Sequence, residues 1–187
     1  MEVRITEKRL RNRRFIRTEN VIIELFLKEN DSMTVKKLAR MVGVSRATFY
    51  RHHQGVGRIV PDYHYYIIHK YSRAVRRLSV GNARPEQVVQ RLLFFIVQNK
   101  KIFRVLMRGR DTEIFAEMVM KLEPFFSKML RLPKNSGEMY VVYAGGVSGL
   151  LIEWGEDGFP EEKIEELKGK IMYLTETMRT SLAPLLK

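Results

Sequence analysis

Residues 33–53 constrain the fold of this chain more than any other stretch, because they predict two short helices joined by a tight turn. Thr34 and Ser45 carry hydroxyls that can accept a bond from the free backbone N–H groups at a helix start, so each is expected to cap one helix. Gly43 lies where the turn requires a left-handed backbone, which glycine adopts without strain. The apolar residues are spaced to pack the two helices as in a helix-turn-helix: Leu38, Ala39, Val42, Val44 and Phe49.

Positive charge is concentrated in the half of the chain that holds this motif. The 187 residues have a formal net charge of +13. Residues 1–80 hold 18 Lys and Arg against 7 Asp and Glu, or +11, whereas residues 81–187 hold 16 against 14, or +2. A basic half with a helix-turn-helix favours double-stranded DNA as the partner. A basic helix on a membrane surface is the alternative, but it needs a continuous apolar face opposite the charges.

The motif resembles the DNA-binding domain of TetR-family transcriptional regulators. The resemblance covers about residues 8–53. It is carried by Thr34-Val35, Leu38-Ala39, Gly43-Val44-Ser45 and Thr48-Phe49-Tyr50-Arg51-His52, with Ile22 and Phe26 in the helix before the motif. It implies an all-helical regulator whose second motif helix, the recognition helix, lies in the major groove.

The resemblance also implies roles for single residues. Thr34, Thr48 and Tyr50 are expected to contact phosphates. Ser45, Arg46 and Ala47 are expected near the bases, where a guanidinium can bond guanine and a methyl group can meet thymine. A phosphate contact is the alternative for Arg46, since many contacts in such interfaces go to the backbone. The full set predicted to contact DNA is Thr34, Lys36, Lys37, Ser45, Arg46, Ala47, Thr48, Tyr50, Arg51 and His52.

The chain departs from the family pattern directly after the recognition helix. His53 stands where the family usually has an aromatic residue, and Gln54-Gly55-Val56-Gly57 lacks the lysine that usually follows. Arg58 is the nearest cation. The departure concerns the residue that the family pattern uses for a phosphate contact at the start of the fourth helix, and the two glycines predict a looser connection.

The whole chain predicts helices, so we expect an all-α protein of about nine helices. Residues 1–57 are predicted to form a three-helix helix-turn-helix domain, and residues 58–187 a larger helical domain for effector binding and dimerisation. Apolar residues recur at spacings of three and four, and turn residues separate the segments. The predicted helices are about 6–29, 35–42, 46–52, 59–80, one from 85, 100–107, 111–130 with a kink at Pro124, 137–155 and 160–181.

Two sites are predicted in the larger domain. Aromatic and methionine side chains near the kinked helix favour a pocket for a hydrophobic small-molecule effector, with an ordinary core as the alternative. The pocket residues are Tyr66, Phe95, Phe103, Met107, Phe115, Met118 and Phe125. Glycines in the helix 137–155 favour close approach of another helix, and the last two helices resemble the dimerisation hairpin of TetR-family proteins. The dimer residues are Tyr143, Gly145, Gly146, Gly149, Leu150, Trp154, Ile171, Leu174 and Met178.

No pattern in the sequence predicts an enzyme, a metal site or a cofactor. The chain has no cysteine, its four histidines include no i, i+4 pair, and it has neither a P-loop nor a nucleophile elbow. No apolar run approaches the roughly 18–20 residues of a membrane span, and the first residues lack the apolar region of a signal peptide. We therefore expect a cytoplasmic protein with no membrane partner.

These patterns predict a sequence-specific transcriptional regulator, more specifically a repressor, that binds a pseudo-palindromic operator as a homodimer and is released by an effector. Three alternatives stay open. The first is a non-specific architectural DNA-binding protein, and the second is a regulator with no small-molecule effector. The third is an enzyme or ligand carrier that kept a helix-turn-helix by descent.

Overall fold

The prediction of an all-α fold is confirmed. A computed structural model describes residues 5, 9, 12–28, 33–78, 84–130 and 137–182. These residues form ten α-helices and no strand. None of the helices in these ranges is both long and apolar enough to cross a membrane. The helices are α1 (Arg13–Lys28), α2 (Val35–Val42), α3 (Arg46–His52), α4 (Ile59–Arg76), α5 (Pro85–Gln98), α6 (Lys100–Arg108), α7 (Glu113–Met120), α8 (Glu123–Leu130), α9 (Gly137–Glu156) and α10 (Ile164–Leu182).

The helix count exceeds nine because the segment 111–130 forms two helices. α7 ends at Met120, and α8 begins at Glu123. Pro124 is the second residue of α8, where its missing N–H removes no intrahelical bond. The prediction of one long helix kinked at this proline is therefore wrong. Proline begins a helix here instead of bending one.

Two other helix ends differ from the sequence prediction. Asn12 Oδ1 accepts hydrogen bonds from the backbone N of Arg14 at 2.9 Å and of Phe15 at 3.3 Å, so it caps α1. The helix thus starts later than predicted, and residues 6–8, 10 and 11 of the predicted helix lie outside the described residues. α4 ends at Arg76, so the predicted end near residue 80 is too late.

The chain folds into two compact units. Unit 1 comprises Met1–His69 and Lys101–Asp111, and unit 2 comprises Lys70–Lys100 and Thr112–Lys187. Unit 1 therefore extends beyond the predicted boundary at residue 57. Its sequence holds 18 Lys and Arg against 8 Asp and Glu, or +10, whereas unit 2 holds 16 against 13, or +3. The positive charge belongs mainly to the unit with the helix-turn-helix.

Each unit has its own apolar core. In unit 1 the buried residues come from one face of each helix: Ile22, Ile23, Leu38, Phe49, Ile59, Ile67, Phe103 and Leu106. In unit 2 they include Val89, Leu93, Ile96, Phe115, Met118, Phe126, Val147, Leu151 and Ile171. Two buried tyrosines of unit 2 are satisfied internally, since the Tyr140 hydroxyl donates to the Val119 carbonyl at 2.6 Å and Tyr143 pairs with Thr175 at 2.8 Å.

Candidate nucleic-acid interface

α2 and α3 form the predicted helix-turn-helix with both predicted caps. Thr34 Oγ1 accepts from the backbone N of Lys37 at 3.2 Å, and Ser45 Oγ accepts from the backbone N of Thr48 at 3.0 Å. Gly43 ends α2 with a φ of 76°, the left-handed backbone that the turn requires. The predicted bounds of both helices are confirmed, because short-range capping chemistry determines them.

α3 separates its residues into a buried and an exposed face. Phe49 and His52 are buried, whereas the Tyr50 side chain is 47% exposed. Arg46, Ala47 and Arg51 are exposed as well. Residues three or four apart are neighbours on a helix surface, so these four side chains form one solvent-facing strip. Tyr50 is therefore accessible, and its contact with phosphate stays a prediction.

The hydroxyls at the start of α3 form a small hydrogen-bonded group with Arg51. Ser45 Oγ donates to Thr48 Oγ1 at 3.0 Å, and Arg51 Nη2 donates to the same oxygen at 2.9 Å. The Thr48 hydroxyl therefore accepts two bonds, and its own hydrogen remains for an acceptor such as a phosphate oxygen. Arg9 Nη1 donates to the Arg51 carbonyl at 3.0 Å and satisfies a group at the end of α3.

Exposed cations extend this surface over three helices. The first turns of α1, α2 and α3 contain no acidic residue. The positive ends of these helices are therefore not neutralised by acids in their own first turns. The exposed cations are Arg13, Arg14 and Arg17 on α1, Lys36, Lys37 and Arg40 on α2, and Arg46 and Arg51 on α3.

His52 does not belong to the exposed strip. Its side chain is buried, and Nδ1 lies 2.5 Å from Glu19 Oε1. The Phe15 ring stacks on the imidazole, with ring centroids 4.1 Å apart and planes inclined by 13°. The prediction that His52 contacts DNA is wrong, because three residues after Phe49 it shares the buried face of α3.

A buried polar cluster lies beneath the recognition helix, and we call it the Glu19 cluster: Glu19, His52, His53, Asp62 and Tyr63. The Tyr63 hydroxyl donates to Glu19 Oε2. His53 Nδ1 lies 2.9 Å from Asp62 Oδ2, and His53 Nε2 lies 3.4 Å from Glu19 Oε2, an ion pair outside hydrogen-bond geometry. The cluster joins α1, the end of α3 and α4 within unit 1.

The charges of the cluster are mutually dependent. Burial alone would raise the pKa of Glu19, but the hydrogen bonds from His52 and Tyr63 and the nearby charged ring of His53 outweigh it and lower that pKa to about 2. Burial would lower the pKa of His53, but its bond to Asp62 and the nearby Glu19 carboxylate outweigh burial and raise it. A carboxylate faces each ring nitrogen of His53, which favours the doubly protonated imidazolium.

The cluster also anchors the chain that follows the recognition helix. His53 is fully buried, and Arg58 Nη2 lies 3.3 Å from Asp62 Oδ1 across the first turn of α4. Val56–Arg58 forms a 3-10 turn in the chain between His53 and Asp62. These contacts contradict the prediction of a loose connection. The two carboxylates and His53 attach this connection to α1 and α4.

Comparison with known proteins gives no match for this chain. No protein-family model and no curated protein matches the chain. The resemblance to TetR-family regulators therefore stays a prediction from the residues of the motif. Within the described ranges, no group of His, Asp or Glu side chains has the arrangement of a metal site.

The residues predicted to line an effector pocket are divided between the two units. Tyr66, Phe103 and Met107 belong to unit 1, and Phe95, Phe115, Met118 and Phe125 belong to unit 2. Phe103, Phe115 and Met118 are fully buried, which agrees with the alternative of an ordinary core. A cavity of about 300 Å³ lies elsewhere in unit 2, and of the seven only Phe95 lines it.

The residues predicted at a dimer interface also divide into two groups. Tyr143, Trp154 and Ile171 are buried in unit 2 itself, so the prediction for these three is wrong. Trp154 Nε1 donates to the Pro160 carbonyl at 3.0 Å, which uses its polar group internally. Leu150, Leu174 and Met178 are half-buried, and Gly145, Gly146 and Gly149 are exposed.

The exposed face of α9 and α10 contains apolar residues that the sequence prediction missed. Val141 is 57% exposed, Val142 is 69% exposed and Tyr173 is 76% exposed. Val141 and Val142 lie four and three residues before Gly145, and Gly149 follows one turn later, so they continue the glycine-containing face of α9. This face, rather than the buried aromatic residues, is open to another chain.

Raising the pH is expected to loosen unit 1. The pKa of His53 is raised, so its stabilisation is complete below the usual value of 6.5 and is lost as the pH rises through the higher folded value. The pKa of Glu19 is lowered, so its stabilisation is present above 4.5 and is lost only as the pH falls towards about 2. As the pH rises from about 6 through the raised pKa of His53, the protection of α1 and α3 amides against hydrogen exchange should therefore fall. Amides of α9 serve as the internal reference, after correction for intrinsic exchange rates.

The matched variant for this prediction is His53→Phe, which places an aromatic side chain at the same position and removes the titrating group. The protection of its α1 and α3 amides should change less with pH than in the wild-type protein, by about 1.4 kcal/mol for each unit of the raised pKa. An unchanged pH dependence in His53→Phe would assign the effect to another group.

Proposed function

We propose that this protein is a sequence-specific DNA-binding transcriptional regulator of TetR type that acts as a repressor. The observation that carries the proposal is the two-sided construction of α3. One face presents Arg46, Ala47, Tyr50 and Arg51 to solvent, and the other is held by Phe49 and the Glu19 cluster. A short helix exposed on one side and fixed on the other is what major-groove reading requires.

The exposed chemistry fits both kinds of DNA contact. Arg46 lies at the first position of α3 without an ion-pair partner among the described residues, so its guanidinium is available for a bidentate bond to guanine. The Ala47 methyl group can meet a thymine methyl group. Thr48 and Tyr50 offer hydroxyl hydrogens, which suit phosphate oxygens and set the register of the helix on the duplex.

We propose a homodimer as the acting species, formed through the exposed face of α9 and α10. Val141, Val142 and Tyr173 provide apolar area there, and Gly145 and Gly149 have no side chain to hold a second helix away. A two-fold dimer presents two recognition helices to half-sites roughly 34–36 Å apart on a pseudo-palindromic operator.

An architectural DNA-binding protein is the second candidate function, favoured by the net charge of +10 on unit 1. Such a protein binds every sequence with similar affinity and shows a steep salt dependence. Selection of bound sequences from a random DNA pool, followed by gel shifts at several salt concentrations, separates the candidates. Enrichment of a repeated half-site supports the regulator, whereas no binding at low salt would reject both.

Arg46→Ala is expected to relax the preference for one base pair of the selected site. The bidentate bond is worth about 1–3 kcal/mol of discrimination, so single-base variants at that position should differ less in affinity for the variant than for the wild type. Competition gel shifts with the selected site and its single-base variants measure the change.

The matched control is Arg40→Ala, an exposed arginine on α2 outside the strip of α3. It should weaken binding to all sequences about equally and reduce the salt slope by about one. If Arg46→Ala behaves like this control, base reading by Arg46 is excluded and the architectural candidate gains support.

A further inference from the structure

Unit 2 contains a cavity between the end of α4 and α5, next to Leu122. Its volume is about 300 Å³, and nine of its twelve lining residues are apolar or aromatic. The apolar part includes Val75, Leu78, Val88, Leu92, Phe94 and Phe95. Cavities of this size with mostly apolar walls and a few polar groups are typical small-molecule sites. At roughly 30 Å³ for a water-sized group, it accommodates about ten non-hydrogen atoms.

The polar residues of this cavity give it a positive charge. They are Arg77, just beyond the end of α4, Arg91 on α5, Gln98 and the uncharged Tyr71, whose hydroxyl is buried without a hydrogen-bond partner, and no acidic residue lines the cavity. Neither guanidinium has an ion-pair partner among the residues that the structure describes. Some other cations of unit 2 pair with a carboxylate, as Lys121 does with Glu117 and Lys170 with Glu166. Two unpaired arginines therefore flank one apolar space.

The carbonyls at the end of α4 do not offset this charge. The backbone N of Arg77 donates to the Ala74 carbonyl at 3.2 Å, and that of Leu78 donates to the Val75 carbonyl at 2.9 Å. Both carbonyls are thereby satisfied within the last turn. These two carbonyl oxygens are therefore already hydrogen-bonded and do not attract a cationic ligand. The charge in the cavity wall remains that of the two arginines.

We propose that this cavity binds a small amphipathic anion, namely a carboxylate attached to an apolar body of about ten carbon atoms. The apolar walls bury the body, and Arg77 and Arg91 bind the carboxylate at the edge through charge-assisted hydrogen bonds. A cationic head group is repelled by both arginines, and a neutral one gains no ion pair. The role of this ligand as the effector of a repressor rests on the proposed function, whereas the binding itself does not.

Calorimetry on the full chain without DNA tests the proposal, with decanoate, decanamide and decyltrimethylammonium as probes. Decanoate is expected to bind with a Kd at least tenfold lower than that of decanamide, and decyltrimethylammonium is expected not to bind. Arg77→Gln and Arg91→Gln should each weaken decanoate several-fold and leave decanamide unchanged. Arg76→Gln is the matched control, because Arg76 is the exposed neighbour of Arg77 and does not line the cavity.

A second variant tests the location of the site. Ala74 is exposed and lines the cavity, so Ala74→Phe fills the space from its edge without opening a hole in the core. It should weaken decanoate and decanamide alike by at least tenfold, with an unchanged far-ultraviolet circular dichroism spectrum. If that spectrum is lost, the double variant Arg77→Gln with Arg91→Gln decides the question.

Three results would overturn the proposal. Equal affinity for decanoate and decanamide removes the anion preference, and binding that survives both Ala74→Phe and the double arginine variant places the ligand elsewhere. Absence of binding by every probe removes the site. DNA binding is measured separately on the same preparation, so a protein that binds DNA and no decanoate, or decanoate and no DNA, shows which of the two proposals fails.

Discussion

Glu19→Ala is expected to destabilise unit 1 by about 3–5 kcal/mol, the usual cost of removing one partner from a buried ionic group. The variant leaves His52 Nδ1 and the Tyr63 hydroxyl without their acceptor, and it leaves His53 with one carboxylate instead of two. The lowering of the Glu19 pKa from 4.5 to about 2 corresponds to a similar energy, roughly 3 kcal/mol.

Hydrogen exchange resolved by peptide measures this effect, because it reports local opening separately for each unit. Peptides of α1, α3 and the start of α4 should lose protection, and peptides of α9 should not. The matched control is Glu24→Ala on the same helix, since Glu24 is exposed and its 3.5 Å pair with Lys101 lies at the surface. Such pairs contribute little. Equal loss of protection in the two variants would show that the Glu19 cluster does not hold α3.

The same variant has a consequence for recognition. The cluster attaches the end of α3 to α1 and α4, and the exposed strip on the opposite face depends on that attachment for its orientation. Base contacts require placement within a fraction of an ångström. Glu19→Ala should therefore reduce sequence preference at temperatures where unit 1 is still folded, although Glu19 itself never reaches the DNA.

The recognition helix could be predicted from the sequence because its determinants are local. Thr34, Gly43 and Ser45 each act within three or four residues, through a cap or a left-handed turn. Such signals do not depend on the rest of the fold. The predicted first and last residues of α2 and α3 therefore agree with the structure. The predicted start of α1 is too early, because Asn12 caps that helix.

The Glu19 cluster could be read only in part. Glu19 lies four residues after Phe15 and three before Ile22, so an acid falls on the apolar face of α1, and Asp62 lies three residues after Ile59 on α4. That register is a signal of a buried carboxylate. The partners are not readable, because His52 and Tyr63 lie 33 and 44 residues away and are brought close only by folding.

The two C-terminal sites were predicted less well because their signals are compositional. A core and a pocket both use phenylalanine and methionine, so Phe103, Phe115 and Met118 could not be assigned to either from the sequence. α9 is apolar on nearly every side, so the sequence could not show which face packs internally. The prediction of a dimer interface therefore includes Tyr143 and Trp154, which are buried within unit 2, and lacks Val141 and Val142, which are exposed.

Val142→Asp is expected to convert the proposed dimer to a monomer and to lower affinity for the full operator by at least about a hundredfold. Val142 is 69% exposed in the single chain, so the substitution leaves its fold intact. In a two-fold interface the change occurs twice, and each carboxylate loses water without gaining a partner. A monomer also loses the gain from simultaneous binding to two half-sites, about 10²–10⁴ in affinity.

Sedimentation equilibrium at micromolar concentration, with gel shifts on one and two half-sites, separates loss of the dimer from loss of the fold. The variant and the wild type should bind a single half-site with equal affinity. Only the wild type should gain affinity from a second half-site. Met120→Asp is the matched control, since Met120 is an exposed apolar residue of unit 2 on α7, away from this face. A wild-type protein that is monomeric both in solution and on DNA would contradict the two-fold operator, because one copy presents only one α3.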